Sequence, residues 1–396
     1  MFSAPGVYPE RSRRAVKGCN LLIIDSHAYC FQPGDALAGY STVEEHLAWL
    51  QTAQTGHHQP AFRTRDRVPG SSDILGPETP TDWSSLPDVN FRIDHEKGRV
   101  VWTVDGEDFT KHFYPPNLRN LEFTPHSLIS EMDYADVDYA FLHTNPMLGR
   151  DAAFLAECIR LYPDRIGSMA PVDEWRILSD TDAVIAETQT AIQTHGLQAV
   201  KFNTRAVFGA DPRPWDDGAY RPFWEATVEL NVPIFFTLGC GPGSAAGAST
   251  GSQFQNGYIG EQRILIDWMN RYPDAVCSVT HGFPWRVFVE DDRIDLPDDV
   301  WIPFDNPNLS LEVCFPVRIG DLFEFPYHEV HATLESMAHH IGSDRLLWGT
   351  DMPFQNRFCT YRQSRQWIEK YCSFLTDEDL ANVMGNTCAR VLGLQG

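Results

Sequence analysis

The nine cysteines of this 396-residue chain include no pair at C-x-x-C spacing. That argues against a zinc ribbon, and their scatter does not form the framework of a small disulfide-stapled domain. A reducing cytoplasm is the expected compartment. No apolar run approaches the roughly 20 residues of a membrane helix. The run at 21–24, after a basic N-terminal segment, is too short for a signal-peptide core. Positive charge is scarce. With 31 Lys and Arg against 54 Asp and Glu, the formal net charge is -23. Such a surface excludes a general nucleic-acid binder and argues against anionic membranes. Short-period repeats and low-complexity tracts are absent too. A hydrophobic fraction of 43% is ample for a large core, and the length fits one α/β barrel with insertions.

Three apolar runs, far apart, end in a His or an Asp. They are Leu21-Leu22-Ile23-Ile24-Asp25-Ser26-His27, Val276-Cys277-Ser278-Val279-Thr280-His281 and Leu346-Leu347-Trp348-Gly349-Thr350-Asp351. Buried parallel strands look like this when they deliver a polar side chain to an active-site rim. Strands are expected near residues 24, 140, 167, 200, 234, 279, 311 and 348. Helices are expected over 43–53, 126–134, 151–162, 181–195, 220–230, 261–271, 330–341 and 362–374. A last helix opens at Thr376, with Asp379 completing a capping box. This alternation predicts an α/β fold, a (β/α)8 TIM barrel, as one domain over 1–396. The stretch 30–125, rich in Pro, Gly, Asp and His, is expected to be an insertion covering the barrel mouth as a lid or wall. It contains the helix at 43–53 and a hairpin over 91–104 that turns at Glu96-Lys97-Gly98.

Strand ends build the site in such a barrel. His27, His281, Glu312 and Asp351 form the core candidate set for a metal, because imidazole plus carboxylate suits zinc, manganese or iron. Glu312 lies inside Ser310-Leu311-Glu312-Val313-Cys314, where a charge is costly unless paired or metal-bound. Its ordinary alternative is an ion pair with a barrel Arg or Lys. His57 and His58 are adjacent loop residues, so one of them faces a metal if the insertion folds over the mouth; otherwise both are exposed. Tyr29 is a weak ligand, a hydrogen-bond donor behind the ligands, or a packed aromatic. His281 and Tyr29 are the catalytic candidates. Lys201 either bridges metals as a carbamate or forms a salt bridge. Asp25 and Thr237 stand at strand ends as supporting groups. Two basic clusters, Arg11, Arg13, Arg14 with Lys17 and Arg63, Arg65 with Arg67, read as solvated charges or as seats for phosphates.

The barrel segments resemble the amidohydrolase superfamily, in its amidohydrolase-related branch of metal-dependent decarboxylases and hydrolases. The resemblance rests on Ile24-Asp25-Ser26-His27, 197–201, Asn231-Val232-Pro233, Thr280-His281-Gly282, Trp348-Gly349-Thr350-Asp351 and 382–392. It implies a second ligand at position 29 and another at position 237. Tyr29 and Thr237 occupy these places. The altered set resembles a small nonheme diiron oxygenase branch known from platensimycin and platencin biosynthesis. That resemblance implies a monooxygenase with two Fe ions and O2, hydroxylating an unactivated C–H of an apolar, terpenoid-like acid, presented free or as its acyl-CoA thioester. The iron ligands would be His27, His281, Glu312, Asp351 and His57 or His58; the electron donor is unassigned. The alternative is a decarboxylase or hydrolase with a single Zn or Mn ion. A metal-free binding barrel is the third reading. Barrels of this size often form homo-oligomers, but no patch in the sequence points to one.

Overall fold

The structure, a computed structural model, describes residues 15–16, 19–78, 85–206, 213–241 and 252–394. Eight parallel strands run in sequence order around one sheet. They are β1 (Ile24–Ala28), β2 (Tyr139–Leu142), β3 (Ile166–Ala170), β4 (Ala199–Asn203), β5 (Ile234–Thr237), β6 (Cys277–Val279), β7 (Leu309–Val313) and β8 (Leu346–Trp348). All eight stand where the apolar runs place them. The ring closes just beyond β8. Ala28 bridges Met352 in parallel, the Tyr29 amide donates to the Met352 carbonyl at 2.8 Å, and the Asp351 amide donates to the His27 carbonyl at 2.7 Å. This is the expected (β/α)8 barrel.

Alternation along the strands divides the core in two. Ile24, Phe141, Met169, Ala199, Phe235 and Leu347 form one buried cluster, against which Cys388 and Val391 of the final helix pack. Their neighbours point the other way, into the layer of helices. Phe236, for instance, meets Trp224 and Trp268 at ring separations of 5.9 and 5.1 Å. The capping box at the C-terminal end is present: the Asp379 amide donates to the Thr376 hydroxyl, and the Thr376 amide donates back to the Asp379 carboxylate.

One helix is longer than its sequence pattern suggests, running over Ser252–Arg271. Gly257 and Gly260 and the polar residues around them obscure the apolar period of its first half. Gly257 is required there, because a Cβ would lie 1.9 Å from the Cys240 carbonyl oxygen.

The insertion is pinned at both ends, where Phe31 and Phe123 exchange backbone hydrogen bonds at 2.9 and 3.0 Å. It contains the expected helix, Val43–Gln54, capped by the Thr42 side chain. The expected hairpin is also there, with strands Arg92–Asp94 and Arg99–Val104. It extends into a five-stranded antiparallel sheet by Glu107–Lys111, Ala61–Arg63 and Pro69–Gly70. These strands are too short and too charged for a period to show. Phe113 and Tyr114, just past the sheet, pack on Phe354 beyond β8, at 5.4 and 5.5 Å.

Arg63 pairs with Asp66 and Arg65 with Glu107, while Arg67 lies over the Phe62 ring, which makes them local surface contacts. Arg11, Arg13, Arg14 and Lys17 lie outside the described residues. No described helix is long and apolar enough to cross a membrane.

Candidate metal centre

The ends of four strands converge. β1 brings His27 and, just past its end, Tyr29. β7 brings Glu312. His281 follows β6 closely and Asp351 follows β8, and both have φ near 63°, a left-handed backbone uncommon for residues other than glycine. Such a conformation clusters at functional sites.

Asp351 Oδ1 lies 3.2 Å from His27 Nε2 and 3.2 Å from His281 Nε2. The Tyr29 hydroxyl is 2.9 Å from the same His27 nitrogen. On the other side of the His27 ring, Nδ1 meets Glu312 Oε2 at 2.7 Å. That oxygen also accepts the His281 amide at 2.6 Å. The other Glu312 oxygen is 3.2 Å from His143 Nε2. The His143 ring stacks on His27 with centroids 3.5 Å apart, and its Nδ1 is 2.7 Å from Lys201 Nζ.

Two sets of donor atoms thus converge closely enough to hold a metal ion: His27, His281 and Asp351, and His27, His143 and Glu312. They differ in what their atoms are already doing. His143 Nε2 also lies 2.9 Å from the Ser26 carbonyl, which can only accept, so this nitrogen carries the proton. A protonated nitrogen is not a ligand. In the first set, Glu312 accepts from His27 Nδ1 and thereby turns Nε2 toward Asp351, the usual way of orienting a metal-binding histidine. The first set is also the more open one. The Asp351 and His281 side chains are each 13% exposed, whereas His27 and Glu312 are fully buried. A catalytic metal needs that open side.

The electrostatics agree. Burial works against charge on His27, but Glu312 and Asp351 outweigh it and raise its pKa. Burial would also raise Asp351, yet the His27 and His281 rings beside it hold it well below the carboxylate range. Glu312 is likewise held down by His27 and His143 against its burial. Burial, with His27 beside it, pushes His281 down to about 3, so it is neutral at pH 7. Burial pushes Lys201 down to about 8.

Other candidates support rather than join the centre. Asp25 accepts from the His27 and Thr350 amides and from the Thr350 and Tyr361 hydroxyls, tying β1 to the end of β8. Burial nevertheless pushes its pKa up to about 7. The Thr237 hydroxyl is 2.7 Å from that of Thr280, which neighbours His281 Nδ1 at 3.4 Å. Lys201 meets a histidine instead of an acid. Glu312 pairs with histidines instead of a barrel Arg or Lys. His57 and His58 belong to neither donor set; their rings lie 4.2 Å apart, tilted by 30°, and His57 meets Phe113 edge-on at 4.8 Å. His143 was not among the candidates, although Ala140-Phe141-Leu142-His143 carries the same signal of an apolar run ending in His.

A family model described as amidohydrolase matches residues 119–394, more than half of the chain. Among solved structures, 2,6-dihydroxybenzoate decarboxylase from Rhizobium is 20% identical with a TM-score of 0.50, covering 68% of this chain and 88% of that one. A dihydroxybenzoic acid decarboxylase from Polaromonas sp. JS666, with bound manganese and the inhibitor 2-nitroresorcinol, is 19% identical with a TM-score of 0.50, covering 70% and 89%. These likenesses establish a shared fold. No curated protein sequence matches the chain. The family match covers seven of the eight strands and includes His281, Glu312 and Asp351, and by it the chain belongs to the amidohydrolase family.

Proposed function

We propose that the chain is a metal-dependent enzyme of decarboxylase or hydrolase type, with one divalent ion, zinc or manganese, on His27, His281 and Asp351. The observation that carries this reading is the approach of two imidazole Nε2 atoms to one Asp351 oxygen, each at 3.2 Å, on the open side of the cluster. The donor chemistry fits such an ion, since two neutral nitrogens and a carboxylate leave positions for water and substrate. When bound, the ion would supply a Lewis acid for a substrate oxygen or a water of lowered pKa.

The remaining work falls to side chains. Glu312 fixes the His27 tautomer and, through the His281 amide, the left-handed turn that aims His281. Tyr29, whose phenol burial keeps protonated, donates a hydrogen bond at the edge of the ion's site. Lys201 holds His143 against the stack on His27. Because the two fold relatives are decarboxylases of dihydroxybenzoates, small aromatic acids are the substrates to try first.

A second reading, the diiron monooxygenase acting on an apolar acid, is favoured by Tyr29 in place of a histidine ligand and by the second donor set beside the first. Against it, both sets need His27, and a neutral imidazole has one lone pair. Metal analysis of untagged protein, with Asp351→Asn and His281→Ala alongside, decides between them. About one zinc or manganese per chain, lost in both variants, is the expected result. About two irons per chain, with O2 consumption, would replace the first reading by the second.

A further inference from the structure

Three of the four strands that supply the candidate centre are each followed by an arginine. Arg286 comes five residues after His281, Arg318 six after Glu312 and Arg357 six after Asp351. The turns beyond β6, β7 and β8 therefore place three guanidinium groups at the same mouth of the barrel, in a chain whose formal net charge is -23. They meet the insertion there, at the His57–His58 pair.

Among the described residues, only Arg286 has a carboxylate ion-pair partner. Arg286 pairs with Asp321, and its Nε also donates to the Arg318 carbonyl at 3.0 Å. Asp321 is exposed and stands 3.9 Å from His58 Nε2. The Arg318 side chain makes no hydrogen bond or ion pair among the described residues. Arg357 Nε donates to the Phe354 carbonyl at 2.9 Å, while Nη1 is buried without a hydrogen-bond partner. Both ring nitrogens of His58 are buried and unbonded too. Burial and the three arginines push His58 down to about 2, so it adds no charge but keeps one N–H to donate. The site thus holds three cations, one exposed carboxylate and several donors with nothing to donate to. Asp351 faces Arg357 from the metal side, where His27 and His281 already engage it.

The walls are aromatic. The Arg357 guanidinium lies 5.6 Å from the Phe113 ring centre, 6.0 Å from Phe354 and 5.1 Å from Phe358. Phe354 in turn meets Tyr29 at 5.8 Å, so a single aromatic layer separates this place from the candidate centre. A guanidinium fork held flat by rings matches a planar carboxylate. Buried donors without partners are costly, and an anionic ligand would relieve that cost.

We propose that Arg318 and Arg357, backed by Arg286 and the His57–His58 pair, form a subsite for a carboxylate of the substrate, with Phe113 and Phe354 walling the apolar body that runs to the metal centre. This assignment rests on the metal-dependent reading for the position of the reacting atoms.

The test is calorimetric titration of the full chain with benzoate, benzamide and phenyl phosphate, metal-loaded and after EDTA, in wild type, Arg318→Met and Arg357→Met. Circular dichroism checks folding, and half-buried Arg318 keeps the test valid if the Arg357 variant misfolds. Wild type is expected to bind benzoate about ten-fold or more tightly than benzamide in both metal states, with the preference lost in Arg318→Met. Equal binding of the two in wild type overturns the subsite. A preference that requires metal and survives both substitutions also overturns it, because the carboxylate would then sit on the ion. Tighter binding of phenyl phosphate overturns the assignment to carboxylates. A preference retained in a protein that never holds metal would leave the subsite standing and sink the enzymatic reading alone.

Discussion

Two groups of histidines lie at one barrel mouth in opposite electrostatic company. His27 sits between Glu312 and Asp351, which favour charge on it despite complete burial. His57 and His58 sit among arginines, with Lys111 beside them, and burial together with these cations keeps both neutral. One neighbourhood gathers acids around imidazole and suits a cation. The other gathers guanidinium around imidazole and suits an anion. The residue type is the same in both, so histidine content alone does not locate a metal centre; the charge of the neighbours does.

The largest expected effect comes from breaking the acidic side. Asp351→Asn removes the charged oxygen that both imidazoles approach, and metal affinity should fall by more than about 100-fold, beyond the range for supporting residues. Chelator competition measures it, and unchanged affinity would remove Asp351 from the ligand set. Glu312→Gln should cost about 10- to 100-fold in the same assay, because its role in the proposed centre is to orient His27. A loss as large as that of Asp351→Asn would make Glu312 a direct ligand.

A third environment sharpens the contrast. Glu174 is a buried carboxylate that accepts the Asn203 amide at 2.6 Å, with no imidazole paired to it among the described residues, and burial pushes its pKa up from 4.5 to about 8. Its folded state holds a proton that the unfolded chain releases near 4.5. Stability from this group is therefore complete below about pH 4.5 and declines as pH rises toward 8, by at most about 1.4 kcal/mol per pH unit. Glu174→Gln should flatten that decline in melting experiments between pH 5 and 8; an unchanged slope would mean that Glu174 is ionised in the folded protein. The smallest effect is expected from His58→Ala, which should leave metal affinity within about two-fold of wild type, since His58 belongs to neither set of converging donors among the described residues. A ten-fold loss would bring the insertion into the metal centre and erase the distinction between the two groups.

Much of the barrel is legible in the chain because its strands are buried on both faces. Such strands read as continuous apolar runs, and their polar ends stand out: His27, His281 and Asp351, and equally His143. Glu312 is visible as a charge inside an apolar run. Less legible are elements whose period is diluted, such as the glycine-containing start of Ser252–Arg271 and the short charged strand Glu107–Lys111. The arginines beyond β6, β7 and β8 look like ordinary loop charges until the loops are set side by side.

By itself the sequence determined the order of eight buried strands and which of them end in metal-competent side chains, because burial and backbone periodicity are local constraints written in residue type. Only the tertiary structure decided which nitrogen of His27 faces Asp351, that Glu312 is answered by histidines, and that His57 and His58 face arginines. Those outcomes depend on distances of a few ångströms between residues hundreds of positions apart, and at that range the neighbouring charge sets whether an imidazole serves a metal or an anion.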